Sequence, residues 1–145
     1  MKQEMKLEIE SIPSNESFAR VVVAAFMTRM NPTMEEVEDV KTAISEAVTN
    51  AIIHGYRGEV HKIVLEASVE EDIFSVSIED FGAGIENVEK AMEPLYTTRR
   101  DLERSGMGFV FMEAFMDSIW VTSKVGQGTK VVMTKRIGRR FERQE

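Results

Sequence analysis

Three short clusters stand where this chain passes between helices, strands and loops: Glu46-Ala-Val-Thr-Asn50-Ala51, Asp80-Phe-Gly82-Ala-Gly84 and Ser105-Gly106-Met107-Gly108, followed by Gly126-Gln-Gly128-Thr129. Each alone is a weak signal. In this order they combine a carboxylate able to take a proton, an amide oxygen suited to a hard metal ion, a second carboxylate able to read a base edge, and glycines that let backbone approach phosphate. Those are the parts of one nucleotide site, and few folds bring four such segments together.

The elements between the clusters predict a mixed domain. Residues 6–12 alternate, with Leu7 and Ile9 between charged neighbours, and read as an edge strand. A helix is expected from Ser14 to about Met30, with Phe18, Val21, Val22, Ala25 and Phe26 as its apolar stripe, ended by Asn31-Pro32. Thr33 and Glu36 form a capping box for the next helix, whose core face is Val37, Val40, Ile44, Ala47, Val48 and Ala51, with His54-Gly55 as its stop. Glu46 and Asn50 lie one turn apart on that helix, about 40° from each other and nearly opposite the core face.

Two period-two runs, Lys62 to Val69 and Ile73 to Glu79, flank Glu71-Asp72 and predict an antiparallel hairpin with Phe74, Val76 and Ile78 on one face. Residues 92–105 hold Pro94, two threonines and three arginines without hydrophobic period, and read as a surface loop. An apolar helix follows from Gly106. Two last strands, Ser118 to Lys124 and Thr129 to Ile137, are joined by Val125-Gly-Gln-Gly. Met107, Met112, Met116 and Trp120 are expected in the core, His54 as a capping or structural residue, and residues 136–145 as a frayed basic end. Residues 1–145 read as one domain, without repeats or linkers.

Composition narrows the function classes. Without cysteine there is no disulfide, thiolate metal site or cysteine nucleophile, and two histidines leave little for zinc. A net charge of -7 disfavours nonspecific nucleic-acid binding. No segment reaches the roughly 20 apolar residues of a membrane span, and the polar start lacks a signal-peptide core, so a cytoplasmic protein without membrane contact is expected.

The order Glu-x-x-x-Asn on a helix, Asp-x-Gly-x-Gly after a strand, Gly-x-Gly opening a helix and Gly-x-Gly-Thr in the last hairpin resembles the ATP-binding domain shared by gyrase, Hsp90, histidine kinases and MutL. Its short form, with Glu46-Ala-Val-Thr-Asn-Ala-Ile-Ile-His-Gly-Tyr56, looks like the anti-sigma-factor serine kinases. The resemblance runs from the first helix to Met133. It implies an α+β two-layer sandwich, a mixed and mainly antiparallel sheet covered on one face by helices, with the ATP site between helices and a lid loop.

It also implies the partners: ATP with Mg²⁺, a sporulation sigma factor that is sequestered when ATP is bound, a STAS-type anti-anti-sigma protein phosphorylated on serine, and a second copy in a homodimer. By the same resemblance Asn50 would hold Mg²⁺, Glu46 would be the general base, and Asp80 would accept a hydrogen bond from the exocyclic amine of adenine, where guanine offers an acceptor. Gly82 and Gly84 would let backbone approach the ring, and Thr129 would complete the adenine contacts. Thr97, Thr98, Arg104, Ser105, Gly106, Met107 and Gly108 would stand on the phosphate side, and ATP would order the loop around them.

Simpler readings stand beside these. Glu46 and Asn50 could be solvated polar residues, 80–84 an ordinary Asp-Gly turn, Thr129 a residue that suits a strand, and the arginines a solvated loop. A dinucleotide-binding loop is excluded, since Asn87 stands where its third glycine belongs and no strand-helix-strand crossover follows. A histidine-kinase module or a nucleotide-gated binding module without catalysis are the alternative functions. The first would need a further helical domain, and the gyrase and MutL type a transducer domain. Leu7 to Ile12 and the first helix carry no part of the nucleotide site yet present Arg20 and several apolar residues, so dimerisation and partner contacts are expected there.

Overall fold

The computed structural model describes residues 1–93 and 108–138. Its elements are β1 (Lys2–Glu10), α1 (Ser14–Met27), α2 (Met34–Asn50), β2 (Lys62–Glu70), β3 (Ile73–Asp80), α3 (Val88–Ala91), α4 (Gly108–Phe115), β4 (Ser118–Lys124) and β5 (Gly128–Arg136). A 3₁₀ turn, Thr28–Met30, prolongs α1, and a π-helical turn, Ala51–Gly55, prolongs α2. The strands form one sheet in the order β1-β2-β3-β5-β4. Every neighbouring pair is antiparallel, so the parallel component expected of a mixed sheet is not found among the described residues.

Period-two patterning explains how the sheet holds the helices. On one face Leu7, Leu65, Ile78, Val131 and Val121 stand side by side across all five strands, and Met5, Ala67, Val76, Met133 and Ile119 make a second row. Ala43, Ile44, Ala47 and Val48 of α2 and Ala19, Val23, Phe26 and Met27 of α1 are buried in the same core as these rows. Burying each large aliphatic or aromatic side chain is worth roughly 1.5–3 kcal/mol. Two residues further along, β3, β5 and β4 carry a third, polar row on that face: Asp80, Thr129 and Ser123. Where the apolar rows end, the helix side of the sheet opens into a cavity.

The start of α2 is fixed as expected. Thr33 Oγ1 accepts from Glu36 N–H at 3.0 Å, and Glu36 Oε1 accepts from Thr33 N–H at 2.8 Å. The same carboxylate takes Gly138 N–H at 3.0 Å, and Arg136 pairs with Asp72 at 3.2 Å. Residues 136–138 are therefore anchored rather than frayed, with Ile137 buried; residues 139–145 lie outside the described residues. Asn31 ends the first helix in the left-handed region, φ 53°.

Two expectations about packing are corrected. α1 buries Ala19, Val23, Phe26 and Met27, whereas Phe18 is 50% and Val21 62% exposed, Ala25 is also exposed, and Val22 is half-buried. The helix is apolar on two sides and only one meets α2 and the sheet. Trp120 is 57% exposed, because alternation in the edge strand β4 turns Ile119 and Val121 toward the helices and Trp120 to the open face. Met112 and Met116 are buried as expected, while Met107 lies outside the described residues. Among the described residues no helix is long and apolar enough to cross a membrane.

Candidate nucleotide site

The cavity has a volume of about 630 Å³ and opens between α2, the end of β3, α3 and α4. Asn50 and His54 line it from the helix side, Ile78, Asp80, Thr129 and Val131 from the sheet, and Gly84, Lys90 and Gly108 from the rim. A volume of this size is in the range of small-molecule sites, and its apolar floor with a few convergent polar groups is typical of them.

Asp80 is the deepest polar group, 6% exposed. Its Oδ1 accepts from Gly82 N–H at 3.0 Å, which shapes the turn that follows β3. Burial raises the carboxyl to about 6; the backbone N–H groups of Gly82 and Thr129 act in the opposite direction, and neighbouring Glu79 adds a smaller upward push. The consequence for stability has a definite sign. A carboxyl that titrates at 3.8 in the unfolded chain and about 6 in the folded one binds more proton when folded, so its contribution is present below 3.8 and is lost as pH rises through 6. In Asp80→Asn this falling component should be absent, and the variant should be the more stable protein above pH 6. Denaturant titrations of both chains across pH 4–8 measure it, and parallel profiles would contradict the buried, costly carboxylate.

The glycines after Asp80 serve the protein's own backbone. A Cβ on Gly82 would lie 2.5 Å from the Gly55 carbonyl carbon, and one on Gly84 2.7 Å from the Lys124 carbonyl carbon. Ala83 N–H donates to Gly55 O at 2.8 Å, and Gly126 N–H to Ala83 O at 2.8 Å. Segment 81–84 is thus wedged between the π-helical turn and the β4-β5 hairpin. Gly84 needs glycine for a second reason, its φ of +75°. The expected use of these two glycines, close approach to a ring, is secondary to this packing; Gly82 does not line the cavity. Gly82→Ala should therefore destabilise the fold by about 1–3 kcal/mol, since overpacking against backbone has no side chain to yield. Thermal unfolding tests this, and an unchanged melting temperature would contradict it.

Of the other expected residues, Asn50, Gly84, Gly108 and Thr129 line the cavity. Glu46, one turn before Asn50, is half-buried rather than solvated, and lies outside the lining. Thr97, Thr98, Arg99, Arg100, Arg104, Ser105, Gly106 and Met107 lie outside the described residues.

Several residues of the site were not anticipated. His54, expected to be structural, lines the cavity; it stands four residues after Asn50, the same spacing as Glu46 to Asn50, which was the available signal. Lys90 and Arg57 also line it. Tyr56 is buried behind it, its hydroxyl accepting from Phe81 N–H at 2.8 Å and donating to Lys62 O, so that it ties the end of β3 to the start of β2. Nothing in the local pattern marks Tyr56. Among the described residues no group of three His, Asp or Glu could hold a metal by itself, and the candidate metal donor is the Asn50 amide oxygen.

The chain is an antiparallel sheet backed by helices, with a buried acid and an amide lining one cavity at the sheet's end, and residues 9–135 match the histidine kinase-like ATPase domain family. An anti-sigma F factor of Clostridium perfringens is 55% identical over 138 residues, covering 94% of this chain and 99% of that protein. One from Oceanobacillus iheyensis is 50% identical over 140 residues, covering 96% of each chain. Among solved structures, the RsbU and RsbW domains of a Mycobacterium tuberculosis protein share the fold at a TM-score of 0.67 and 19% identity, over 93% of this chain; the present chain spans 32% of that one. The chain belongs to the histidine kinase-like ATPases and, within them, to the anti-sigma F factors.

Proposed function

We propose that this anti-sigma factor binds ATP with Mg²⁺ in the cavity, sequesters a sigma factor in the ATP state, and phosphorylates a serine of its antagonist, an anti-anti-sigma protein of the STAS type. The observation that carries the reading is the buried Asp80 at the floor of a cavity that Asn50 also lines. An ionised carboxylate only accepts hydrogen bonds, so it suits the amine of adenine and opposes the keto oxygen of guanine. Asn50 offers the neutral oxygen that Mg²⁺ accepts alongside phosphate oxygens, and the ion supplies neutralisation of phosphate charge. No cage of carboxylates is required for that.

Glu46 is the group assigned to the proton. In the transfer, the serine Oγ forms a bond to the γ-phosphorus, the bond from that phosphorus to the bridging oxygen of ADP breaks, and the serine proton passes to the Glu46 carboxylate. Of the residues assigned to the phosphate side, Gly108 is the one among the described residues, and its place in the cavity lining supports the assignment. A homodimer belongs to the same reading; exposed Phe18 and Val21 on α1 support it, and light scattering of the purified chain reads it directly.

The test of the whole is incubation with radiolabelled ATP and candidate antagonist proteins, followed by sigma binding in ATP and in ADP. Labelled phosphoserine and tighter sigma binding in ATP are expected. Equal sigma binding in both nucleotides would contradict gating, and absence of label with every antagonist that displaces sigma would contradict the kinase. Asn50→Ala should lose the Mg²⁺-dependent part of nucleotide affinity while keeping the Mg²⁺-independent part, as calorimetry with and without chelator would read. Identical losses in both conditions would move the metal role away from Asn50.

A further inference from the structure

The polar row on the sheet ends on Ser123, a residue of β4 that does not line the cavity. Its hydroxyl makes three contacts. Ile85 N–H donates to Ser123 Oγ at 2.7 Å, Ser123 Oγ lies 3.0 Å from Gly128 O, and Ser123 Oγ and Thr129 Oγ1 are 2.8 Å apart. We infer that Ser123 is a positioning residue that fixes the direction of the Thr129 hydroxyl, and through it makes the cavity select a purine that carries an exocyclic amine. The inference rests on the adenine reading above.

A serine hydroxyl has one proton and two lone pairs. The Gly128 carbonyl can only accept, so that contact uses the Ser123 proton. Ile85 N–H can only donate, and occupies one lone pair. One lone pair is left, and the contact with Thr129 is made only if Thr129 donates into it. This is the single arrangement that satisfies all three contacts at once. It commits the Thr129 proton away from the cavity, so Thr129 Oγ1 meets a ligand with lone pairs alone.

Thr129 stands directly beside Asp80 in the β3-β5 pairing, and both line the cavity. When Asp80 is ionised the two side chains together present acceptors and no donor. An amine offers two N–H donors where a keto oxygen offers none, so the pair favours a 6-aminopurine. A Thr129 hydroxyl free to rotate could instead donate to a keto oxygen, and the discrimination would weaken. Ser123 also holds Ile85, the residue after Gly84, and so fixes one wall of the cavity by the same bonds.

The experiment compares the affinity of the full chain for ATP, GTP and purine riboside triphosphate, which lacks the 6-amine, by calorimetry. Wild type should prefer ATP. In Ser123→Ala the ratio of ATP to purine riboside triphosphate affinity should fall roughly three- to tenfold, the worth of one hydrogen bond, and Ser123→Thr should restore it by keeping the hydroxyl. In a Thr129→Val background the further change Ser123→Ala should have no effect on the ratio, because the two act through one contact. Should Ser123→Ala not fold, Ser123→Cys, close in size and a weak hydrogen-bonding group, is read in the same way. An unchanged ratio in the folded variant, or equal losses for all three nucleotides, would overturn the assignment while wild-type discrimination stood. A wild-type protein with equal affinities would overturn the adenine reading and this inference with it.

Discussion

Glu46→Gln should retain ATP and sigma factor while phosphoryl transfer falls by roughly 10²–10⁴, the usual contribution of a positioned general base. The change is nearly isosteric and removes the proton acceptor without removing bulk from α2. Glu46 lies one turn before Asn50, half-buried and outside the lining of the cavity, so a loss of nucleotide affinity is not expected. Single-turnover transfer to the antagonist protein, with affinity measured beside it, separates the two quantities. Transfer at the wild-type rate would show that Glu46 only supports the helix; lost ATP binding would show that it holds the ligand.

Asp80→Asn should cost roughly 10- to 100-fold in ATP affinity, the worth of a charge-assisted hydrogen bond whose partner is then left facing a donor. The substitution is a sharp one here. Asn can keep the bond from Gly82 N–H, so the turn after β3 survives, while the other oxygen becomes an amine. The variant should bind ATP poorly and yet unfold at higher denaturant above pH 6, because the carboxyl is held where ionisation is costly. Calorimetry on the folded variant checks the first half; equal ATP affinity would remove Asp80 from base recognition.

Much of this could be read from residues in order, and the failures have physical causes. The capping box at Thr33 and Glu36, the hairpin around Glu71-Asp72 and the rows of β2 and β3 were legible because their determinants are local. Helix α1 was placed but only partly oriented, with Phe26 buried as expected and Phe18 and Val21 exposed, since two apolar stripes compete on it and only the position of α2 chooses between them. Trp120 reads as a packing residue of its strand, but its neighbours Ile119 and Val121 claim the inner face by alternation.

At the site, Asp80, Asn50 and Thr129 were singled out by spacing, and they line one cavity. Tyr56 and Ser123 were not, for each acts through contacts with segments between 5 and 38 residues away. Gly55 shows the same limit. It was read as the end of a helix, yet a Cβ there would lie 2.7 Å from the Asp80 carboxyl, a demand visible only once α2 and β3 meet.

Among the described residues β5 comes latest in sequence, yet it lies inside the sheet between β3 and β4. In a chain growing on a ribosome at about 5–20 residues per second, Asp80 therefore emerges roughly 2–10 s before Thr129, its neighbour in the finished sheet. Any sheet formed in that interval would have β3 as a bare edge, with Phe74, Val76 and Ile78 not yet bordered by the strand that pairs with them in the finished fold. The order of the strands along the chain is not their order in the sheet, and the wall that holds Thr129 and Ser123 is made from strands that follow β3 by about 40 residues or more.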